Sequence, residues 1–166
     1  MLKELFNAGH DFETFMQGDE GKHVDNVRHF LELSSDAMTD VLTSRIKEIE
    51  SARLVVFGEV WCPDCMINMA VLESIHRVNT NIEYAILPRD GYEDKLKSLT
   101  PDSSAKIPTF IVVDSNWNAK GMFLEKPQVV KDVEAGDDQV KRIVVKRDYR
   151  KGKYILDTIE ELVELL

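Results

Sequence analysis

Cysteine is nearly absent from this chain: two residues in 166, too few for the disulfide framework of a small secreted protein. Positive charge is short as well, with 21 Lys and Arg against 30 Asp and Glu, a formal net charge of -9. A chain that grips a phosphate backbone has to overcome such a surplus of carboxylates, so no nucleic-acid partner is expected. Long apolar runs are missing too, and nothing approaches the roughly 18 residues of a membrane span. The N-terminal stretch MLKELFNAGHDFETFMQGDE scatters carboxylates and a histidine where a secretory signal needs an unbroken apolar core. These absences predict a cytoplasmic protein with no membrane partner. Internal repeats and low-complexity tracts are also lacking.

The hydrophobic content, 43%, is enough for one well-filled core, and a chain of this size buries roughly 70% of its unfolded surface. A single domain over 1–166 is therefore expected, made of a helical extension (1–50), an α/β core (51–127) and a C-terminal helical segment (128–166). In the extension, Leu2, Leu5, Phe6, Phe12, Phe15 and Met16 recur at helical intervals, as one helix or as two interrupted at Gly9. GDEGK (18–22) reads as a turn. Val24, Val27, Phe30 and Leu31 form a second helical stripe. Ala37, Val41, Leu42, Ile46 and Ile49 form a third, for which Ser34, Ser35 or Asp36 is the expected cap.

The pattern changes at Arg53. LVVF (54–57), IEYAIL (82–87) and TFIVV (109–113) are short apolar runs rich in β-branched residues, the signature of strands covered on both faces. Between the first two, Met66, Met69, Ala70, Leu72, Ile75 and Val78 have helical spacing, so a parallel crossover is predicted. GMFLE (121–125) reads as an antiparallel partner of the third strand. VVKDVEAG reads as a short helix stopped by Gly136, the basic stretch around Lys141, Arg142, Lys146, Arg147, Arg150, Lys151 and Lys153 as a solvated helix, and Ile159, Leu162, Val163 and Leu166 as one side of a terminal helix. At LPRDG, Gly91 is expected at positive φ in a strand-ending turn.

Both cysteines lie in FGEVWCPDCMINMA (57–70), where the first strand gives way to the helix. Gly58, Glu59 and Val60 turn outward, Cys62 falls at the N-cap, and Pro63 takes the first helical position, where its missing N–H is no loss. A sulfur at an N-cap faces unpaired amides and the positive end of the helix dipole, and both favour thiolate over thiol. Cys65 lies about one turn further on, close enough to bridge and deeper, so its thiol stays protonated. The pair reads as an exposed attacker and a shielded resolver. A zinc site normally needs four ligands, and the histidines at 10, 23, 29 and 76 are not spaced to complete one, so no metal is expected. An inert buried pair is the other alternative.

WCPDC at a strand-to-helix turn, with Lys106, Ile107, Pro108 and Thr109 leading into an apolar strand downstream, resembles the thioredoxin family. The likeness covers roughly 51–127 and the terminal helix. The helical first fifty residues, GEVWCPDC and LPRDG resemble a bacterial group of thioredoxin-like proteins with the same extension. The resemblance implies a thioredoxin-like α/β fold with a central mixed sheet flanked by helices. It also implies that Cys62 attacks and Cys65 resolves, and that Pro108 forms a cis bond with Ile107. The Ile107 backbone and Thr109 would then form the loop facing the dithiol, and Trp61 would shield one side and help bind substrate. No bound cofactor is implied. The partners implied are a disulfide-containing protein or small molecule and a reductase or low-molecular-weight thiol that restores the dithiol. The alternative is a redox-sensitive peptide-binding or regulatory module on the same fold.

Three features depart from the family pattern. Val56 stands where an acidic strand residue commonly assists the resolving thiol, which leaves Glu59 to be read either as a solvated turn residue or as a candidate for that proton handling. Asp64 suits the helix dipole but repels a thiolate at Cys62. Ala70, the second departure, replaces a helix-kinking proline, and the third is the pair of extra segments, 1–50 and 128–153, which could cap the sheet, narrow substrate access or mediate self-association.

Overall fold

A computed structural model describes all 166 residues. Four strands, β1 (Ala52–Phe57), β2 (Ile82–Leu87), β3 (Thr109–Val113) and β4 (Ala119–Leu124), form one sheet in the order β2-β1-β3-β4. β1 runs parallel to β2, while β3 is antiparallel to both β1 and β4. The central position of β1 explains its composition: Leu54, Val55, Val56 and Phe57 are all fully buried, so both faces of the strand are covered. The predicted antiparallel partner at 121–125 is present as β4, and the register slips between Val112 and Val113.

The parallel crossover from β1 to β2 is α5 (Pro63–Val78), a helix apolar on nearly every side. Residues 65–75 are all buried, because α5 is covered by α3 (Val24–Asp36) and α9 (Ile155–Leu165) as well as by the sheet. A helix apolar all round belongs in an interior. The remaining helices are α1 (Leu2–Ala8), α2 (Phe12–Met16), α4 (Asp40–Lys47), α6 (Glu93–Leu99), α7 (Gln128–Ala135) and α8 (Gln139–Arg150). α7 ends at Gly136 and α8 is the expected basic helix. Gly91 has φ +79, as its place in the turn after β2 requires.

Several expectations are corrected. The third N-terminal helix is capped by Thr39, whose side chain accepts from the Leu42 amide at 3.2 Å, and not by Ser34, Ser35 or Asp36. Those residues lie inside α3, where the Ser34 and Ser35 hydroxyls donate back to the carbonyls of Phe30 and Leu31. Val41 is therefore 70% exposed and outside the buried stripe. Val60 points inward and is buried against the core, not outward with Glu59. α6 had no apolar stripe long enough to announce it, since Leu96 is its one buried residue.

The N-terminal helices are joined to the sheet by backbone. Between α1 and α2, His10 pairs with Ile86 on β2: each residue's N–H donates to the other's carbonyl at 2.9 Å. Gly9 makes this approach feasible, because a Cβ there would meet Ala85 Cβ at 2.8 Å and the Ile86 nitrogen at 3.0 Å. Asn79, at the C-cap of α5, donates to the carbonyls of Ile46 and Ile49 at 2.8 and 2.7 Å and holds the end of α4. The forty residues of the buried apolar cluster accordingly come from both termini as well as from the sheet. Replacing Gly9 with alanine should push α1 off β2 and lower stability by about 1–3 kcal/mol, read as a lower urea midpoint at unchanged slope.

Candidate functional site

The two sulfurs lie where β1 hands over to α5. Cys62 is the N-cap of α5 in an extended conformation, Pro63 opens the helix, and Cys65 is on the first turn. Both are free thiols; Cys62 is partly exposed, whereas Cys65 is fully buried. Gly58 lets the end of β1 lie close beneath Cys65, since a Cβ at position 58 would stand 3.4 Å from its sulfur. The Ile107–Pro108 bond is cis, and the Ile107 carbonyl faces Cys62 Sγ at 3.9 Å. Thr109, fully buried, begins β3, and its hydroxyl donates to the Lys106 carbonyl at 2.8 Å. Cys62, Cys65, Ile107 and Pro108, distant in sequence, are thus gathered into one face.

The electrostatics split the pair. The Cys62 pKa falls to about 7, first because the Cys65 thiol donates a hydrogen bond to its sulfur. Burial opposes the fall, the Cys65 and Asp64 amides assist it, and the Asp64 carboxylate resists it. Cys62 makes no cap hydrogen bond of ordinary geometry, so the amides act at longer range than a cap would and rank below the companion thiol. Cys65 is pushed well above the ordinary thiol range, chiefly by burial and then by its bond to Cys62. The contact that lowers the Cys62 thiol thus adds to the burial that raises the Cys65 thiol.

The supporting residues divide. Trp61 is 48% exposed beside the dithiol, with the Arg89 guanidinium 5.5 Å from its ring centroid. Glu59 holds the turn after β2: its Oε1 accepts from the amides of Arg89 and Asp90 at 2.9 and 3.2 Å. Asp64 is largely buried, and burial raises its pKa against the lowering effect of Lys126 and Arg150. Its carboxylate oxygens lie 3.9 Å from Lys126 Nζ and 3.6 Å from Arg150 Nε. Val56 is fully buried and apolar, so the strand beneath Cys65 supplies no carboxylate.

Sequence reasoning missed the polar clamp under the first turn. Asn68, fully buried, sets its Nδ2 within hydrogen-bond distance of three acceptors, the carbonyls of Asp64 (2.8 Å) and Glu125 (2.7 Å) and the Tyr149 hydroxyl (2.9 Å), which share its two N–H groups. It joins α5 to the end of β4 and to α8. An asparagine inside the apolar stretch MINMAVL is the one signal that could have marked it. The N-terminal extension also reaches the site. A hollow of about 100 Å³ is walled by His10, Thr14 and Gly18 on one side and Glu59, Trp61 and Pro88 on the other. No group of three or more His, Cys, Asp or Glu side chains is arranged to hold a metal ion, and no helix is long and apolar enough to cross a membrane.

Comparisons with known proteins agree with this geometry. The thioredoxin family model matches residues 9–141, and so includes most of the helical extension and the start of α8. Among solved structures, a protein of unknown function, PA1234, from Pseudomonas aeruginosa is 34% identical, with 98% of this chain and 95% of that one covered and a TM-score of 0.83. An HIV epitope scaffold is 33% identical over the same shares, with a TM-score of 0.85. No curated protein matches the chain. With four-fifths of its length inside the family match and the dithiol set between β1, α5 and the cis-proline loop, the chain belongs to the thioredoxin family.

Proposed function

We propose that this protein is a thiol:disulfide oxidoreductase that reduces protein or small-molecule disulfides through Cys62 and Cys65. The observation that carries the reading is the asymmetry of the pair: one partly exposed sulfur with a pKa of about 7, and one buried sulfur held protonated beside it. A structural pair has no need of that difference. At neutral pH about half of Cys62 is thiolate, against a few per cent of free cysteine.

The Cys62 thiolate attacks one sulfur of the substrate disulfide, forming a mixed disulfide and expelling the other sulfur as a thiolate that takes a proton from water. With Cys62 no longer anionic, the bond that held the Cys65 proton is lost. Cys65 attacks Cys62 Sγ as its proton passes to the departing second substrate sulfur, which leaves as a thiol. Two electrons pass to the substrate and the Cys62–Cys65 disulfide remains. A reductase or a low-molecular-weight thiol returns the two electrons and two protons. The cis loop offers the Ile107 backbone to an extended substrate segment, and Trp61 covers one side. Such a dithiol suits the reducing cytoplasm, where structural disulfides are rare.

Two measurements test the reading. The alkylation rate of Cys62 should rise with pH through an inflection near 7, because the thiolate is the reacting form. Cys65→Ala removes the first cause of the depression, so it should move the inflection up and cut the rate at pH 7 by a factor of about three or more. Asp64→Asn removes a repelling charge and should move the inflection down.

In reductase-coupled turnover of a model disulfide, Cys62→Ser should fall to the uncatalysed background. Cys65→Ser should accumulate a mixed disulfide at Cys62, visible as a mass increase that dithiothreitol removes. Turnover that survives Cys62→Ser would leave the peptide-binding or regulatory module as the reading.

A further inference from the structure

We propose that a cationic hollow beside the dithiol is a subsite for the carboxylates of the substrate, so that the disulfides preferred are those flanked by negative charge. This rests on the oxidoreductase reading above and names its substrate class. The hollow, about 390 Å³, is lined by Lys126, Lys146, Arg147, Tyr149 and Arg150: four cations, one phenol and no carboxylate. In a chain with a net charge of -9, such a lining stands against the background charge.

The position of the hollow ties it to the chemistry. Lys126 and Arg150 are the two cations that flank Asp64, the second residue of the helix capped by Cys62. Tyr149 feels the charges of Asp64, Cys65 and Cys62, and its hydroxyl is held by Asn68 under the same turn. Asp64 thus connects the hollow to the same first turn of α5 on which a substrate sulfur at Cys62 would sit.

The donors are unequally engaged. Lys126 Nζ is paired with Glu134 at 2.9 Å and Arg147 Nη2 with Asp148 at 3.1 Å, whereas Arg150 stands 3.6 Å from Asp64, beyond hydrogen-bond distance. Lys146 has no ion-pair partner. Lys146 and Arg150 are four residues apart on α8, on one face of the helix and both exposed. Lys146 is the free donor for an incoming carboxylate, and Arg150, ion-paired with Asp64 at 3.6 Å but not hydrogen-bonded to it, can present the rest of its planar fork.

The overall charge makes the test sharp. The long-range field of an acidic protein repels anions, so a dithiol without a local subsite is oxidised faster by a cationic disulfide than by an anionic one. Reduced protein is mixed with oxidised glutathione (anionic) or cystamine (cationic), and the second-order rate of thiol loss is recorded at about 20 mM and about 300 mM salt. The expected result is a faster reaction with oxidised glutathione, by roughly tenfold at low salt, narrowing at high salt. Lys146→Glu and, separately, Arg150→Gln should lower the ratio of the two rates by several-fold. The Cys62 alkylation profile is recorded for each variant, so that a change in thiolate fraction, which scales both rates alike, is told apart from lost recognition.

A peptide disulfide flanked by glutamates, compared with its glutamine counterpart, separates the two sources of carboxylate. Gain with both probes means that the charge alone is read, and gain with the peptide alone means that a polypeptide is needed. Equal or faster oxidation by cystamine, with no gain from the glutamates, overturns the subsite, as does a ratio that neither variant moves. These failures leave the dithiol reading intact as long as Cys62→Ser abolishes oxidation by every probe. Oxidation that survives Cys62→Ser overturns the reading beneath, and the subsite with it.

Discussion

The contact between the two sulfurs organises the site, and it works only because they occupy different media. Cys65 is wholly enclosed by the end of β1 and the body of α5, so ionising it costs desolvation that the Glu59 backbone offsets only in part. It keeps its proton and lends that proton to Cys62, which is near enough to solvent to carry the charge. The amides that open α5 add to this. Asp64 subtracts from it, and Lys126 and Arg150 partly screen Asp64 in turn. Reactivity at Cys62 is therefore set by burial three residues away at least as much as by the helix terminus on which it sits.

Holding that arrangement requires segments far apart in the chain. α5 has to start at Cys62, which Pro63 favours, and its first turn has to be pinned from below. Asn68 does this by joining the Asp64 carbonyl to the Glu125 carbonyl and to Tyr149 on α8. The C-terminal segment thus belongs to the site, since it brings both the tyrosine beneath the turn and the cations beside it. The N-terminal segment contributes a wall on the other side, anchored by the pairing of His10 with Ile86. Both additions frame a dithiol that the α/β core alone would leave more open.

Much of this was legible in the residues. The three apolar strands, the crossover helix, the basic helix and the N-cap position of Cys62 follow from local patterns: β-branched runs, helical spacing, and a proline immediately after the cap. What misled was local chemistry without its context. Ser34, Ser35 and Asp36 are good capping residues by type, yet α3 continues through them because Val27, Leu31 and Ser34 are buried on one face, and the cap passes to Thr39. α6 went unread because a helix with one buried residue leaves almost no periodic trace. Glu59 could be read from the sequence as a proton handler or as a turn residue, and only the structure shows that its Oε1 holds the amides of the turn after β2.

The sequence by itself determined what depends on neighbours along the chain: where the strands and helices lie, that the two cysteines share a helical turn, and that the first of them caps it. Those features follow from backbone sterics and side-chain periodicity, which act over a few residues. Only the tertiary structure decided the depth of Cys65, the order of causes acting on the Cys62 thiol, the Asn68 clamp and the cationic lining from α8. Each depends on burial or on charges brought together from segments up to about eighty residues apart, as with Asn68 and Tyr149. Desolvation and Coulomb energy depend on distance in space, and spacing along a chain does not encode that distance.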